Sequence, residues 1–200
     1  MVDHYFSRKP SSERRLYEIR YIINGKNFVF LSSSSVFSSK KIDYGTDLLV
    51  RFMALKNGDR ILDMGSGYGP VGVVAAHNNP KSEVVMVEIN ERAASLAKKN
   101  LKLNKIRNAK VVCGDFFTPL KEEKFDVILM NPPIAIGLRK IFEVIEESKK
   151  YLNPDGSLQV VARHNKGGSR IKEMMQSVFG NVEELAKAGG FRVYMAVLSK

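Results

Sequence analysis

Residues 125–134 read FDVILMNPPI, an apolar run rich in β-branched residues that stops at an amide followed by two prolines. Proline donates no backbone N–H and turns its predecessor away from helical angles, so Asn131-Pro132-Pro133 ends a buried strand abruptly. The chemistry open to such an end is that of a rigid hydrogen-bond acceptor. The Asn131 side-chain oxygen and the Pro132 carbonyl, stiffened by Pro133, can each accept one N–H of an amino group. Held in that way, the nitrogen lone pair points in line at an electrophilic carbon. Rate is gained through orientation, and through acceptors aimed at the charge that develops on nitrogen. No general base of unusual pKa is needed if the attacked carbon is already activated. Asn131, Pro132 and Pro133 are therefore the catalytic candidates.

Upstream, ILDMGSGYGPVG places Asp63, Gly65, Gly67 and Gly69 between an apolar run and a helical stretch. Glycines there permit a sharp turn and close approach of a ligand to the main chain. Gly67, Gly69 and Gly72 also satisfy G-x-G-x-x-G, with Glu88 about 20 residues on, so a nicotinamide or flavin dinucleotide is a rival ligand. Asp63 weighs against it, because a carboxylate before the glycines repels a diphosphate. It suits a ligand with an ammonium group. S-adenosylmethionine carries one, together with a sulfonium and no phosphate. Glu88 would accept from both ribose hydroxyls, and Asp115 from the adenine amino group, with Phe116 packed near the ring. The blander alternatives are a structural turn at Gly65–Gly69, a solvated Glu88 and a helix cap at Asp115.

These residues need a scaffold that brings them to one edge. Strand-like runs fall at 60–64, 83–89, 109–113, 125–130, 157–162 and 192–198, with a further short one near 182–186. Helical patterns fall at 70–78, 91–104, 138–152 and 169–179. Alternation of the two implies a doubly wound, mostly parallel α/β sheet whose ligands lie at the C-terminal strand ends. Ahead of it, two strand-like runs flank Asn24-Gly25, a hairpin signal, and a helix over 42–55 is capped by Thr46 or Asp43. The reading is a single domain over 1–200, with 1–45 as a hairpin and lid extension and 46–200 as the α/β core.

The 200 residues carry a formal charge of +11 at pH 7, which favours a polyanionic partner such as nucleic acid. Apolar runs are too short to span a bilayer, and the first residues lack the apolar core of a signal peptide. One cysteine suits a reducing cytoplasm, and three scattered histidines point to no metal site. RHNKGGSR, at 163–170, places Arg163 and Lys166 at a strand end, on the side expected for substrate. The basic stretch at 7–15 is either an RNA-binding arm or a frayed terminus. KKNLKLNK, at 98–105, reads as a solvated helix face.

The glycine loop followed by N-P-P resembles class I S-adenosylmethionine-dependent methyltransferases acting on amino or amide nitrogen. With HYFS at 4–7, VFSSKKIDYGT at 36–46, DMGSGYGPVG at 63–72, NPPI at 131–134 and VFGNVEELAKAGGFRVY at 178–194, the chain more narrowly resembles the small-domain group of ribosomal RNA guanine-N2 methyltransferases, in their stand-alone archaeal form. The resemblance implies a Rossmann-like seven-stranded sheet ending in an antiparallel strand. It also implies that Phe37, Ser38, Asp43, Gly45 and Thr46 fold over the cofactor, and Asn90 and Asn131 join the cofactor-binding set. Family members usually follow N-P-P with an aromatic residue on which the target base stacks. Here Ile134 follows, and Tyr44 or Phe37 is the alternative source of a ring. The implied reaction is methyl transfer to an exocyclic base nitrogen in ribosomal RNA. Protein glutamine, DNA adenine, or RNA binding without catalysis are the other readings.

Overall fold

The computed structural model describes residues 15–34 and 40–199. Strands β1 (Leu16–Ile23) and β2 (Lys26–Ser33) form the expected hairpin, joined by Asn24-Gly25 with φ of +50° and +73°. Both turn residues lie in the left-handed region, the twist that a two-residue hairpin loop needs. Helix α1 (Tyr44–Phe52) follows, and Asp43 is its cap, since its carboxylate accepts from the Thr46 N–H at 3.0 Å.

The α/β core then runs β3 (Arg60–Met64), α2 (Pro70–Asn78), β4 (Glu83–Glu88), α3 (Glu91–Leu103), β5 (Ala109–Cys113), β6 (Phe125–Met130), α4 (Leu138–Ser148), β7 (Leu152–Arg163), α5 (Ser169–Phe179), β8 (Glu183–Ala188) and β9 (Phe191–Val197). The seven-stranded sheet has the order β5-β4-β3-β6-β7-β9-β8. All its pairings are parallel except those of β9, which is antiparallel to β7 and β8. Strands that read as continuous apolar runs are buried on both faces, and side chains alternate between two cores. Ile61 of β3 joins the core under α1, α2, α3 and the hairpin, whereas Leu62 and Met64 join the core under α4 and α5.

Two boundaries depart from the sequence reading by four residues or more. Strand β7 begins at Leu152 rather than Ser157, and α4 ends at Ser148 rather than 152. Leu152 pairs with Phe125 before the register shifts to Val127↔Ser157, so an irregular segment containing Pro154 and Asp155 (φ +64°) interrupts an otherwise longer strand. A proline and a left-handed residue together look like a loop in sequence, yet the ladder resumes on both sides.

The basic run at 98–105 is not simply a solvated face. Asn100 of α3 is fully buried, accepts from Leu31 N–H at 2.7 Å and donates to Leu31 C=O at 2.9 Å. Asn104 does the same to Val29, at 3.1 and 2.8 Å. Four residues of helix rise about 6 Å and two residues of strand about 6.6 Å, so amides at i and i+4 match a strand edge at i and i+2. The edge of β2 is thereby satisfied by side chains, and the hairpin is fastened to α3.

Candidate active site

The sheet order reverses between β3 and β6, where the crevice for a ligand opens in such folds. Asp63 and Leu129 are register partners, so Asn131 sits level with Gly65 across the adjacent strand ends. A cavity of about 1030 Å³ lies there, reaching from Asp115 past Asp63 and Asn131 to Arg163 and Phe191. That is at the upper end of about 300–1,000 Å³ for small-molecule sites, enough for an adenosyl cofactor beside an acceptor.

Asp63 is buried, and its Oδ2 accepts from the Gly72 N–H at 2.8 Å. Burial pushes its carboxyl up to about 7; the Gly72 N–H works against that, and the nearby Glu88 charge adds to it. Glu88 is buried at the end of β4, with Oε2 accepting from Gly67 N–H and Oε1 from Asn90 N–H, each at 2.8 Å. Burial raises its carboxyl too, against the opposing pull of those backbone N–H groups. A carboxylate oxygen has two lone pairs, so each keeps capacity to accept from a ligand hydroxyl. Asp115 lines the cavity in an exposed loop, and Phe116 beside it carries the Lys140 ammonium 5.1 Å from its ring centroid.

The glycine loop discriminates between ligands. Gly65 and Ser66 both donate their N–H to Val87 C=O, at 2.9 and 3.0 Å, and Gly67 donates to Glu88. Three successive N–H groups are thus spent on β4 and do not form a cradle for a diphosphate, which disfavours the dinucleotide reading. Among the described residues, Gly65 (φ +70°) has no atom within 4 Å of where a Cβ would stand, so a ligand can approach its backbone closely. Ser66 Oγ is buried at the cavity wall and has no hydrogen-bond partner among the described residues. A carboxylate-lined cavity with an unpaired hydroxyl and an open glycine fits S-adenosylmethionine. Gly69 is placed differently: a Cβ there would stand 2.5 Å from Met86 Cε, so it serves helix packing and does not line the cavity. Asn90 lies outside the lining as well, capping α3 through bonds from Arg92 and Ala93 N–H.

Asn131, Pro132 and Pro133 line the cavity, with Ile134 opening a short 3-10 turn behind them. Asn131 Nδ2 donates to Thr46 Oγ1 at 2.9 Å and to Asp43 Oδ1 at 3.3 Å, while Thr46 Oγ1 donates to Asp43 Oδ2. The cap of α1 therefore orients the amide, which sequence reading did not foresee. Tyr44, Arg163 and Lys166 also line the cavity. Phe191 was missed, because a single aromatic opening an edge-proximal strand carries no local signal of a site. Phe37 and Ser38 lie outside the described residues. Among the described residues no group of three or more His, Cys, Asp or Glu is placed to hold a metal, and no helix is long and apolar enough to cross a membrane.

A reversed sheet order, carboxylates on three successive strand ends and an oriented Asn-Pro-Pro define an S-adenosylmethionine-dependent methyltransferase. The chain belongs to the methyltransferase small domain family, whose model matches residues 27–195. It is 33% identical over 198 residues to YbxB of Bacillus subtilis, covering 98% of each chain. It is 32% identical to the ribosomal RNA small subunit methyltransferase C of Haemophilus influenzae, across 84% of this chain and 51% of that protein. The chain thus spans about half the length of that curated relative. Among solved structures it resembles a 16S rRNA N2 methyltransferase of T. thermophilus in complex with AdoMet and guanosine. The TM-score is 0.77 at 24% identity, over 96% of this chain and 52% of that one, which bears on the fold alone.

Proposed function

We propose that this chain methylates an exocyclic amino nitrogen of an RNA base, with guanine N2 of ribosomal RNA as the target. The observation that carries the reading is the fixed amide of Asn131. Asp43 only accepts, Thr46 gives its proton to Asp43, and Thr46 Oγ1 therefore accepts from Asn131 Nδ2. The amide oxygen is left as the acceptor presented to an incoming amine. The Pro132 carbonyl supplies the second, and the two hold the amine with its lone pair directed across the crevice. Bound in the carboxylate half, the cofactor supplies an activated methyl group. Glu88 and Asp115 would hold its ribose and adenine, and Asp63 its ammonium. The names of the small subunit methyltransferase C relatives support ribosomal RNA as the substrate, and so does the charge of +11.

The test is incubation with methyl-labelled cofactor and, separately, ribosomal RNA, transfer RNA and protein, followed by digestion of the labelled pool. N2-methylguanosine from ribosomal RNA is the expected product. Label in glutamine or adenine, or none, would refute the reading. Assayed at saturating cofactor, Asn131→Ala should slow single-turnover transfer by about 10²-fold or more, as loss of positioning does.

A further inference from the structure

The cavity has two chemically distinct halves. The ends of β3, β4 and β5 bring Asp63, Glu88 and Asp115. Beyond Asn131, the end of β7 brings Arg163, the turn after it Lys166, the start of β9 Phe191 and the start of α1 Tyr44. The first half suits a cation. The second half is aromatic and basic.

The aromatic side is built tightly. Gly189 and Gly190 (φ +53° and +80°) make the two-residue turn between β8 and β9, which sets Phe191 as the first residue of β9 and the register partner of Arg163. The Arg163 guanidinium lies 5.8 Å from the Phe191 ring centroid. Tyr44 packs beside Phe191, with centroids 5.6 Å apart and planes inclined by 41°. A Cβ on Gly189 would stand 2.6 Å from Tyr44 Cε1 and Cζ, so the ring lies directly over the glycine turn. Even so, Tyr44 remains 49% exposed. The position of a Cβ on Gly45 is 3.2 Å from Phe191 Cε1 and 3.4 Å from Asn131 Oδ1, so ring edge and catalytic amide share one wall. One side of the Tyr44 ring is thus packed on Phe191 and the glycine turn, and the rest of a large aromatic surface is left open near the Asn131 amide.

Building on the reading above, we propose that Tyr44 and Phe191 form a shelf on which the target nucleobase stacks, with Arg163 and Lys166 receiving its flanking phosphates. The shelf takes the place of the aromatic residue that Ile134 lacks. Stacking suits any base because every base has a π-face, so the shelf supplies affinity while Asn131 and Pro132 select an amino group. Arginine stacked on one ring stays charged and presents its remaining N–H donors to phosphate oxygens.

The chain contains no tryptophan, so Tyr44→Trp places a single indole on the shelf as a reporter. Guanosine 5′-monophosphate should quench its fluorescence saturably, and ribose 5-phosphate should not; no quenching by the nucleotide, or equal quenching by both, would overturn the shelf. In RNA methylation, Tyr44→Ala should raise KM for RNA by about tenfold or more, the scale of one base stack removed. S-adenosylmethionine affinity by calorimetry should stay unchanged, which also shows the variant folded. Tyr44→Phe keeps the ring and should restore KM. An unchanged KM in Tyr44→Ala would overturn the proposal while leaving methyl transfer intact. Should the wild type methylate no RNA at all, the proposed activity falls, and nucleotide quenching still decides the shelf by itself.

Discussion

Asp43 governs Asn131 because a carboxylate has no proton to give, and every bond in the relay inherits its direction from that fact. Thr46→Val preserves shape but removes the hydroxyl between the two. The amide then loses its 2.9 Å acceptor and keeps only the longer 3.3 Å bond to Asp43 Oδ1. Transfer should slow by about tenfold, one hydrogen bond's worth of orientation, with Thr46→Ser restoring the rate in a single-turnover assay. Asp43→Asn is the sharper probe, since asparagine caps helices as well as aspartate but can also donate. The melting temperature should hold while turnover falls; equal loss of both would make Asp43 a cap and nothing more. Asp63 carries a pH signature. Its folded pKa, near 7, is above the ordinary carboxylate range. In the free protein its contribution to stability is therefore full below that range and lost as pH rises through about 7. A cationic ligand prefers the ionised form, so binding should strengthen as pH rises through the same window and release a proton. Asp63→Asn still accepts from Gly72 N–H but cannot ionise. Calorimetry between pH 6 and 8 should show weaker binding by about tenfold or more, and a flatter pH dependence than the wild type. The free ligand's amine titrates identically in both experiments, so the difference isolates Asp63 and its pairing with that amine.

Among the elements, α3 ties two parts of the site together. Asn100 Nδ2 donates both to Leu31 C=O in the hairpin and, at 2.8 Å, to Tyr68 C=O in the glycine loop. Asn100→Ala would strand these buried groups, at about 1–3 kcal/mol for each one left unpaired. The thermal midpoint should fall by several degrees, and cofactor affinity should fall with it as the loop loosens. A drop in stability with cofactor affinity intact would confine Asn100 to the hairpin. Such a clasp is hard to see in a sequence, because KKNLKLNK has the composition of a solvated face and the partner edge lies about seventy residues away. The same holds for Gln159, whose amide brackets Ala54 N–H and C=O at 2.9 and 2.7 Å after α1. By contrast, β3, β5, β6, α2 and α5 were legible to the residue. Their limits are written in local chemistry: apolar runs bounded by glycine or proline, Pro70 at a helix start, Gly180 at a helix end. That Asp63, Glu88 and Asn131 stand at strand ends was legible for the same reason, since a strand end is a local event. Phe191 and the Asp43–Thr46–Asn131 relay depend on which strands become neighbours, and no local pattern records that.

For the molecule as a whole, the question is where its excess positive charge acts. A basic surface attracts RNA at long range without choosing how it docks. The topology separates two clusters that composition merges. In a parallel sheet each helix runs back from the strand ends, so α3 begins at Glu91 beside the cavity and carries Lys98, Lys99 and Lys102 toward the opposite end of the sheet. Lys98 and Lys102 stand about 10 and 16 Å along the helix from Glu91, roughly one to two Debye lengths at physiological salt. Arg163 and Lys166 stand at the cavity. Arg163→Glu with Lys166→Glu, and Lys98→Glu with Lys102→Glu, change net charge equally, the first pair at the cavity and the second on the exposed side of α3. If phosphates are held where methyl transfer occurs, the first pair should weaken RNA binding strongly. It should also flatten the plot of log affinity against log salt by about 0.7–0.9 for each phosphate no longer held. The second pair should weaken binding only slightly and leave the slope alone. Equal effects from both pairs, measured by filter binding across a salt series, would mean that charge merely gathers RNA and that its register is fixed elsewhere on the surface.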